Sequence, residues 1–106
     1  MEFIFHDHHA TVSDSVRERA KAGALKLAPR LGRTVDAVIR FEADGPLCRA
    51  EIILHAPHHK EVVAKSAARS YYTAVIGALG KLERQLHVVQ RVSKSRAQLA
   101  RRAEQA

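Results

Sequence analysis

The chain has 106 residues, 46% of them hydrophobic but only 5% aromatic, which suits one domain with a single core of Val, Ile, Leu and Ala. Its formal net charge is +7, and no apolar run approaches the ~20 residues that cross a bilayer. The start MEFIFHDHH lacks the basic region and cleavage pattern of a signal peptide, and a lone Cys48 excludes an internal disulfide framework, so a cytoplasmic protein with no membrane partner is expected.

Glu2 to His6 reads as a short strand, with Phe3 and Phe5 on one side and Ile4 on the other. Ser13 is placed to cap a helix: its hydroxyl can accept from a free backbone N–H, and Asp14 complements the positive helix end. Val16, Ala20, Ala24 and Leu27 make a thin apolar stripe, and Pro29 should end the helix around Ala28 after one loose turn. Thr34 to Glu42 alternates, with Val35, Ala37, Ile39 and Phe41 inward, and Val38 interrupts the polar side. Asp44-Gly45 is hairpin chemistry. Leu47 to Ala56 alternates again, Pro57-His58-His59 makes a second turn, and Lys60 to Ser66 is a fourth strand.

From a cap at Ser70, a long helical pattern carries Tyr72, Val75, Leu79, Leu82, Leu86 and Val89 on one side. Lys81, Arg84 and Arg91 are offset from that stripe by two positions, so at ~100° per residue they fall on roughly the opposite side and should face solvent. Beyond about Ser93 the stripe fades to Leu99. The expected organisation is therefore one domain over residues 1–92 and a basic tail over 93–106, frayed or disordered.

Charge is distributed unevenly along this order. Residues 1–64 hold nine Lys/Arg and nine Asp/Glu, whereas residues 65–106 hold nine Lys/Arg against Glu83 and Glu104 alone. A basic ridge of this kind draws polyanions and speeds their association. Its expected members are Lys65, Arg69, Lys81, Arg84, Arg91 and Lys94, with Lys21 as an addition from the first helix. The element order β-α-β-β-β-α predicts a two-layer α+β sandwich: a four-stranded mixed sheet with two helices on one face. The first two strands should be parallel with a right-handed crossover, and hairpins join the rest.

The segment Ser70-Tyr71-Tyr72-Thr73-Ala74-Val75-Ile76-Gly77, followed by Lys81-Leu82-Glu83-Arg84-Gln85-Leu86, resembles the short-form ribosome hibernation promoting factor and ribosome-associated inhibitor A family. The similarity extends over residues 2–92, including Ser13 as cap and the Lys26-Leu27 pair. It implies a fold similar to double-stranded-RNA-binding domains. It also implies a stress or stationary-phase protein that binds the small ribosomal subunit and its ribosomal RNA. Such a protein occupies the mRNA/tRNA channel through basic helix residues and inhibits translation without chemistry. On matching positions the resemblance makes Lys26, Lys81 and Arg84 phosphate contacts. The chain departs from the pattern at Gly23, where relatives place a Lys for which Lys21 would compensate, and at Ser70, where they place an Asp.

Seven histidines invite a rival reading. His6, His8 and His9 form one cluster and His55, His58 and His59 another, so a small His-rich metal-binding protein is an alternative, as is a general double-stranded-RNA-binding regulator. Parallel first and second strands put the two clusters at opposite ends of the sheet, and no HExxH or cysteine pair is present, so no metal site is assigned. Nothing is placed to activate Cys48 as a nucleophile; no enzyme activity, cofactor or small-molecule substrate is expected. Tyr72 is assigned to the core and Tyr71 to a less buried position. Gly77 and Gly80 each cost a helix about 1 kcal/mol relative to Ala, which close approach of RNA or of the other helix would offset.

Overall fold

The computed structural model describes residues 1–8, 10–32, 36–57 and 61–105, with backbone alone beyond Val88. Along it run β1 (Glu2–His8), α1 (Asp14–Leu27), a 3-10 turn (Ala28–Leu31), β2 (Asp36–Asp44), β3 (Leu47–His55), β4 (Val62–Ala68) and α2 (Tyr71–Gln105). The sheet order is β1-β2-β3-β4, parallel in its first pair and antiparallel in the other two. This is the expected α+β sandwich, both helices lying on one face of a mixed sheet.

Local chemistry fixes the element ends. Ser13 Oγ accepts from Val16 N at 3.4 Å at the start of α1. Ser70 Oγ accepts from Thr73 N at 3.2 Å at the start of α2. Pro29 sits inside the 3-10 turn, so α1 finishes where its missing N–H requires. Gly45 takes φ 58, the positive value that opens the two-residue turn between paired Asp44 and Leu47.

Strand boundaries differ from the sequence expectation, by one residue at the end of β3, which stops at His55, and by more in the other three. β1 runs on to His8 rather than stopping at His6, because the parallel ladder continues to the His8–Glu42 pair regardless of side-chain polarity. β2 occupies Asp36–Asp44 and β4 occupies Val62–Ala68, each displaced toward the C-terminus. Thr34, Val35 and Lys60 lie outside the described residues.

The core forms between the inner sheet face and the helices. Ala37, Ile39 and Phe41 of β2, with Ala50, Ile52 and Leu54 of β3, pack against Ala20 and Leu27 of α1 and Val75, Leu82 and Leu86 of α2. Tyr72 is a correction: it is 55% exposed, whereas Tyr71 packs on the core and meets Phe41 edge-on at 5.8 Å between ring centroids. The stripe that reaches the core is Ala74, Val75, Ala78, Leu79, Leu82 and Leu86. At ~100° per residue Tyr71 lies near its centre and Tyr72 about 80° off it. Burial pushes the Tyr71 phenol above its usual pKa, with Cys48 beside it as a further cause.

Two helix glycines are explained by packing. A Cβ on Gly23 would come within 2.5 Å of the Leu79 side chain, so this glycine allows α1 and α2 to approach. A Cβ on Gly77 would collide with Ser66 of β4. The neighbour that comes close to Gly77 is thus a side chain of a strand, not RNA or the other helix. Val38, which interrupted the polar side of β2, joins a cross-strand apolar row on the outer sheet face with Ile4, Ile53 and Val63.

α2 is helical to Gln105, about 52 Å at 1.5 Å per residue, and accounts for most of the molecule's 59 Å length. Its last buried side chain among the described residues is Leu86. The expectations placed on Val89, Arg91 and Lys94 fall on side chains outside the described residues.

Candidate nucleic-acid interface

The cations expected to form one ridge are divided among several surfaces. On α1, Lys26 is exposed and lines a groove against α2 together with Arg19, a residue the sequence reading did not single out. The groove encloses about 280 Å³ and is also lined by Gly23, Leu27, Ile76, Leu79, Gly80 and Glu83. Arg84 stands exposed on the outer side of α2. Lys65 and Lys81 meet at the edge of β4. Arg69 is exposed in the bend before α2, where its carbonyl accepts from Cys48 Sγ at 3.7 Å. Lys21 lies on another flank of α1, its Nζ 5.5 Å from the Phe3 ring centroid, so the α1 cations that face α2 are Arg19 and Lys26, not Lys21.

Lys81 is exposed as expected, but it does not simply point into solvent. Its Nζ donates to the Lys65 carbonyl at 2.8 Å, and Gln85 Nε2 donates to the Val63 carbonyl at 2.7 Å. Four residues of helix rise about 6 Å and two residues of strand about 6.6 Å, so the i, i+4 pair on α2 matches alternate carbonyls of β4. The two side chains cover part of a strand edge that would otherwise offer free carbonyls to another chain. Spacing alone put Lys81 and Gln85 on one side of the helix; what could not be read was that this side lies over β4.

On the opposite face the outer sheet surface is a lattice of ion pairs. Glu51 is shared by Arg40 at 3.8 Å and Lys65 at 3.7 Å, and Arg49 pairs with Asp44 at 2.6 Å. The helix face differs. Among the described residues, Arg19, Lys26 and Arg84 make no ion pair, while the groove's one carboxylate, Glu83, is paired with Arg30 at 3.3 Å. Arg17, close by in sequence, is occupied by Asp7. Free positive charge is thus concentrated on the helix layer.

The histidines do not converge. His6 and His8 are exposed on β1, whereas His55 pairs across the sheet with Asp36, six residues before Glu42 and so about 20 Å along β2 from His8. No three metal-ligating side chains cluster among the described residues; His9, His58 and His59 lie outside them. His55 instead bridges two carboxylates, with Nδ1 on Asp36 and Nε2 on Glu61 at 3.1 Å.

The hydrogen bond to Asp36 raises the His55 pKa above 6.5; partial burial opposes this and Glu61 adds to it. The folded state therefore holds the proton more tightly than the unfolded chain. Its stabilisation is complete below about 6.5 and is lost as pH rises through the folded-state value. Urea denaturation between pH 6 and 9 should show stability falling with pH, and His55→Gln should remove most of that slope. A slope unchanged in the variant would mean that other groups carry it.

No helix among the described residues is long and apolar enough to cross a membrane. No curated protein matches the sequence. Among solved structures, a ribosomal subunit interface protein from Coxiella burnetii aligns with TM-score 0.76 at 18% identity, over 85% of this chain and 98% of that one. The N-terminal domain of Protein Y from Thermus thermophilus aligns with TM-score 0.65 at 22% identity, over 86% of this chain and 94% of that one. At these identities the likeness establishes the fold. A family model described as Sigma 54 modulation protein / S30EA ribosomal protein matches residues 3–104. With nearly the whole sequence matched, the chain belongs to that family, as the resemblance read from its sequence implied.

Proposed function

We propose that this protein binds the small ribosomal subunit and occupies its mRNA/tRNA channel, holding ribosomal RNA through the cations of its helix layer. The carrying observation is the contrast between its two faces. Arg19, Lys26 and Arg84 have no carboxylate partner among the described residues, whereas Arg40, Arg49 and Lys65 on the outer sheet face are paired with acids. Unpaired cations can release phosphate counterions on binding; paired ones must first give up a partner. Lys26 and Arg84 are accordingly the principal phosphate contacts. Lys81 and Arg69 flank them, Lys65 joins them only by giving up Glu51, Arg91 and Lys94 extend the surface along α2, and Lys21 lies at its margin. From residue 93 to Gln105 the chain continues the same helix, with Arg and Lys prominent in its sequence.

The mechanism is occupancy. A molecule 59 by 23 by 18 Å, with one helix about 52 Å long, excludes other ligands from whatever channel it fills. No bond is made or broken, and the expected setting is the cytoplasm in stress or stationary phase. The two solved relatives, named for a ribosomal subunit interface and as Protein Y, are in keeping with this reading. Sucrose-gradient sedimentation with purified ribosomes should place the protein with the small subunit and report any change in ribosome pairing. Free duplex RNA should compete poorly. Efficient competition would favour a general double-stranded-RNA-binding regulator, and failure to co-sediment would overturn the proposal.

A further inference from the structure

Gly80 is the helix glycine that packing does not explain. Gly23 and Gly77 each lie where a Cβ would strike a neighbour, but a Cβ on Gly80 would meet nothing within 4 Å. Inside a helix, glycine is less favourable than alanine, and here no intramolecular contact offsets the loss. The open space is the floor of the groove between α1 and α2.

The groove's lining describes what would fit. Leu27, Leu79 and Ile76 supply apolar surface beside the bare Gly80 backbone, while Arg19 and Lys26 stand along the α1 side. Glu83, the one acid among the described lining residues, is engaged by Arg30. Ile76 is 38% exposed despite its size, so the apolar surface is open to a ligand. An apolar floor beneath unpaired cations suits the flat face of an unstacked base whose neighbouring phosphates lie over the rim. Single-stranded RNA presents that combination; the smooth backbone of a continuous duplex does not.

We infer that the α1–α2 groove receives one unpaired nucleotide of RNA, its base or ribose lying on Gly80 and the flanking phosphates held by Arg19 and Lys26. This rests on the ribosomal-RNA reading and adds to it a defined pocket, an additional cation in Arg19 and a single-stranded target. Gly80 is then a shape determinant: its missing side chain keeps the groove deep enough for the nucleotide.

The test separates shape from charge. Gly80→Leu fills the groove with a good helix former and removes no charge, while Arg19→Ala removes a charge and leaves the floor open. Dissociation constants for purified small subunits are measured at several salt concentrations, beside melting temperatures. Gly80→Leu should melt no lower than the wild type and bind at least about tenfold more weakly, with its salt slope unchanged. Gly80→Ala should melt about 4–8 °C higher and bind more weakly in smaller measure, and it carries the comparison should the leucine variant not fold. Arg19→Ala should lower the salt slope by about 0.7–0.9. Wild-type affinity in folded Gly80 variants would overturn the groove assignment while leaving the ribosomal reading intact. Absence of wild-type binding would overturn both.

Discussion

Replacing Phe41 with alanine should cost about 3–5 kcal/mol, a large share of the roughly 5–15 kcal/mol that stabilises a domain of this kind. Phe41 is fully buried at the centre of the inner sheet face and heads the fully buried side chains by size. It sits on β2, which is bonded on both sides, and its ring takes the edge of Tyr71 from the first turn of α2. Truncation would remove the transfer energy of a phenyl ring and leave a cavity that strands paired on both sides cannot collapse to fill. At about 4–8 °C per kcal/mol, the melting temperature should fall by more than ~12 °C. In urea the midpoint should drop with little change in slope. Tyr71→Ala should cost less, because its ring is only partly covered. A double-mutant cycle between the two should return a coupling of about 0.5–1.5 kcal/mol. A loss below about 1 kcal/mol at Phe41 would mean that the core does not close over this ring.

The Phe41–Tyr71 contact also marks how far the sequence could be read. Alternation in β2 and β3 placed Ala37, Ile39, Phe41, Ala50, Ile52 and Leu54 inward, and all six are buried. Strand alternation has a period of two, and a one-residue error would reverse every side chain, so the pattern identifies its own phase. A helix stripe is about 100° wide and tolerates a neighbouring residue at its border. That tolerance is why Tyr72 could be fitted to spacings of three and four while Tyr71 makes the contact. Caps were legible because they act within a few residues, as at Ser13 and Ser70. The site was legible as a charge excess and not as a surface. Whether a cation is free depends on which carboxylate faces it across the sheet, and Glu51 between Arg40 and Lys65 is a cross-strand arrangement that no local spacing announces. Gln85 and Arg19 were missed for the same reason: their roles are set by the neighbouring element, β4 in one case and α2 in the other.

Reversing the charge of Arg84 should weaken ribosome binding without affecting the fold, whereas the same change at Lys81 should do both. With five to seven phosphate contacts, each adding about 0.7–0.9 to the slope of log affinity against log salt, the wild type should lose roughly 10²–10⁴ in affinity between 50 and 200 mM salt. Arg84 is exposed and makes no ion pair or hydrogen bond among the described residues, so Arg84→Glu should keep its stability to within about 0.5 kcal/mol and show a shallower salt slope. Lys81 has three donors, of which one is placed on the Lys65 carbonyl. Lys81→Glu removes that bond, worth about 0.5–1.5 kcal/mol, and turns a carboxylate toward carbonyl oxygens it cannot bond. It also uncovers the edge of β4, so self-association should appear at high protein concentration. Lys81→Gln keeps a donor and should restore the monomer while leaving binding weakened, which separates the structural role from phosphate contact. Full stability and a monomeric state in Lys81→Glu would show that the clasp on β4 is dispensable. An unchanged salt slope in Arg84→Glu would exclude the outer side of α2 from the interface.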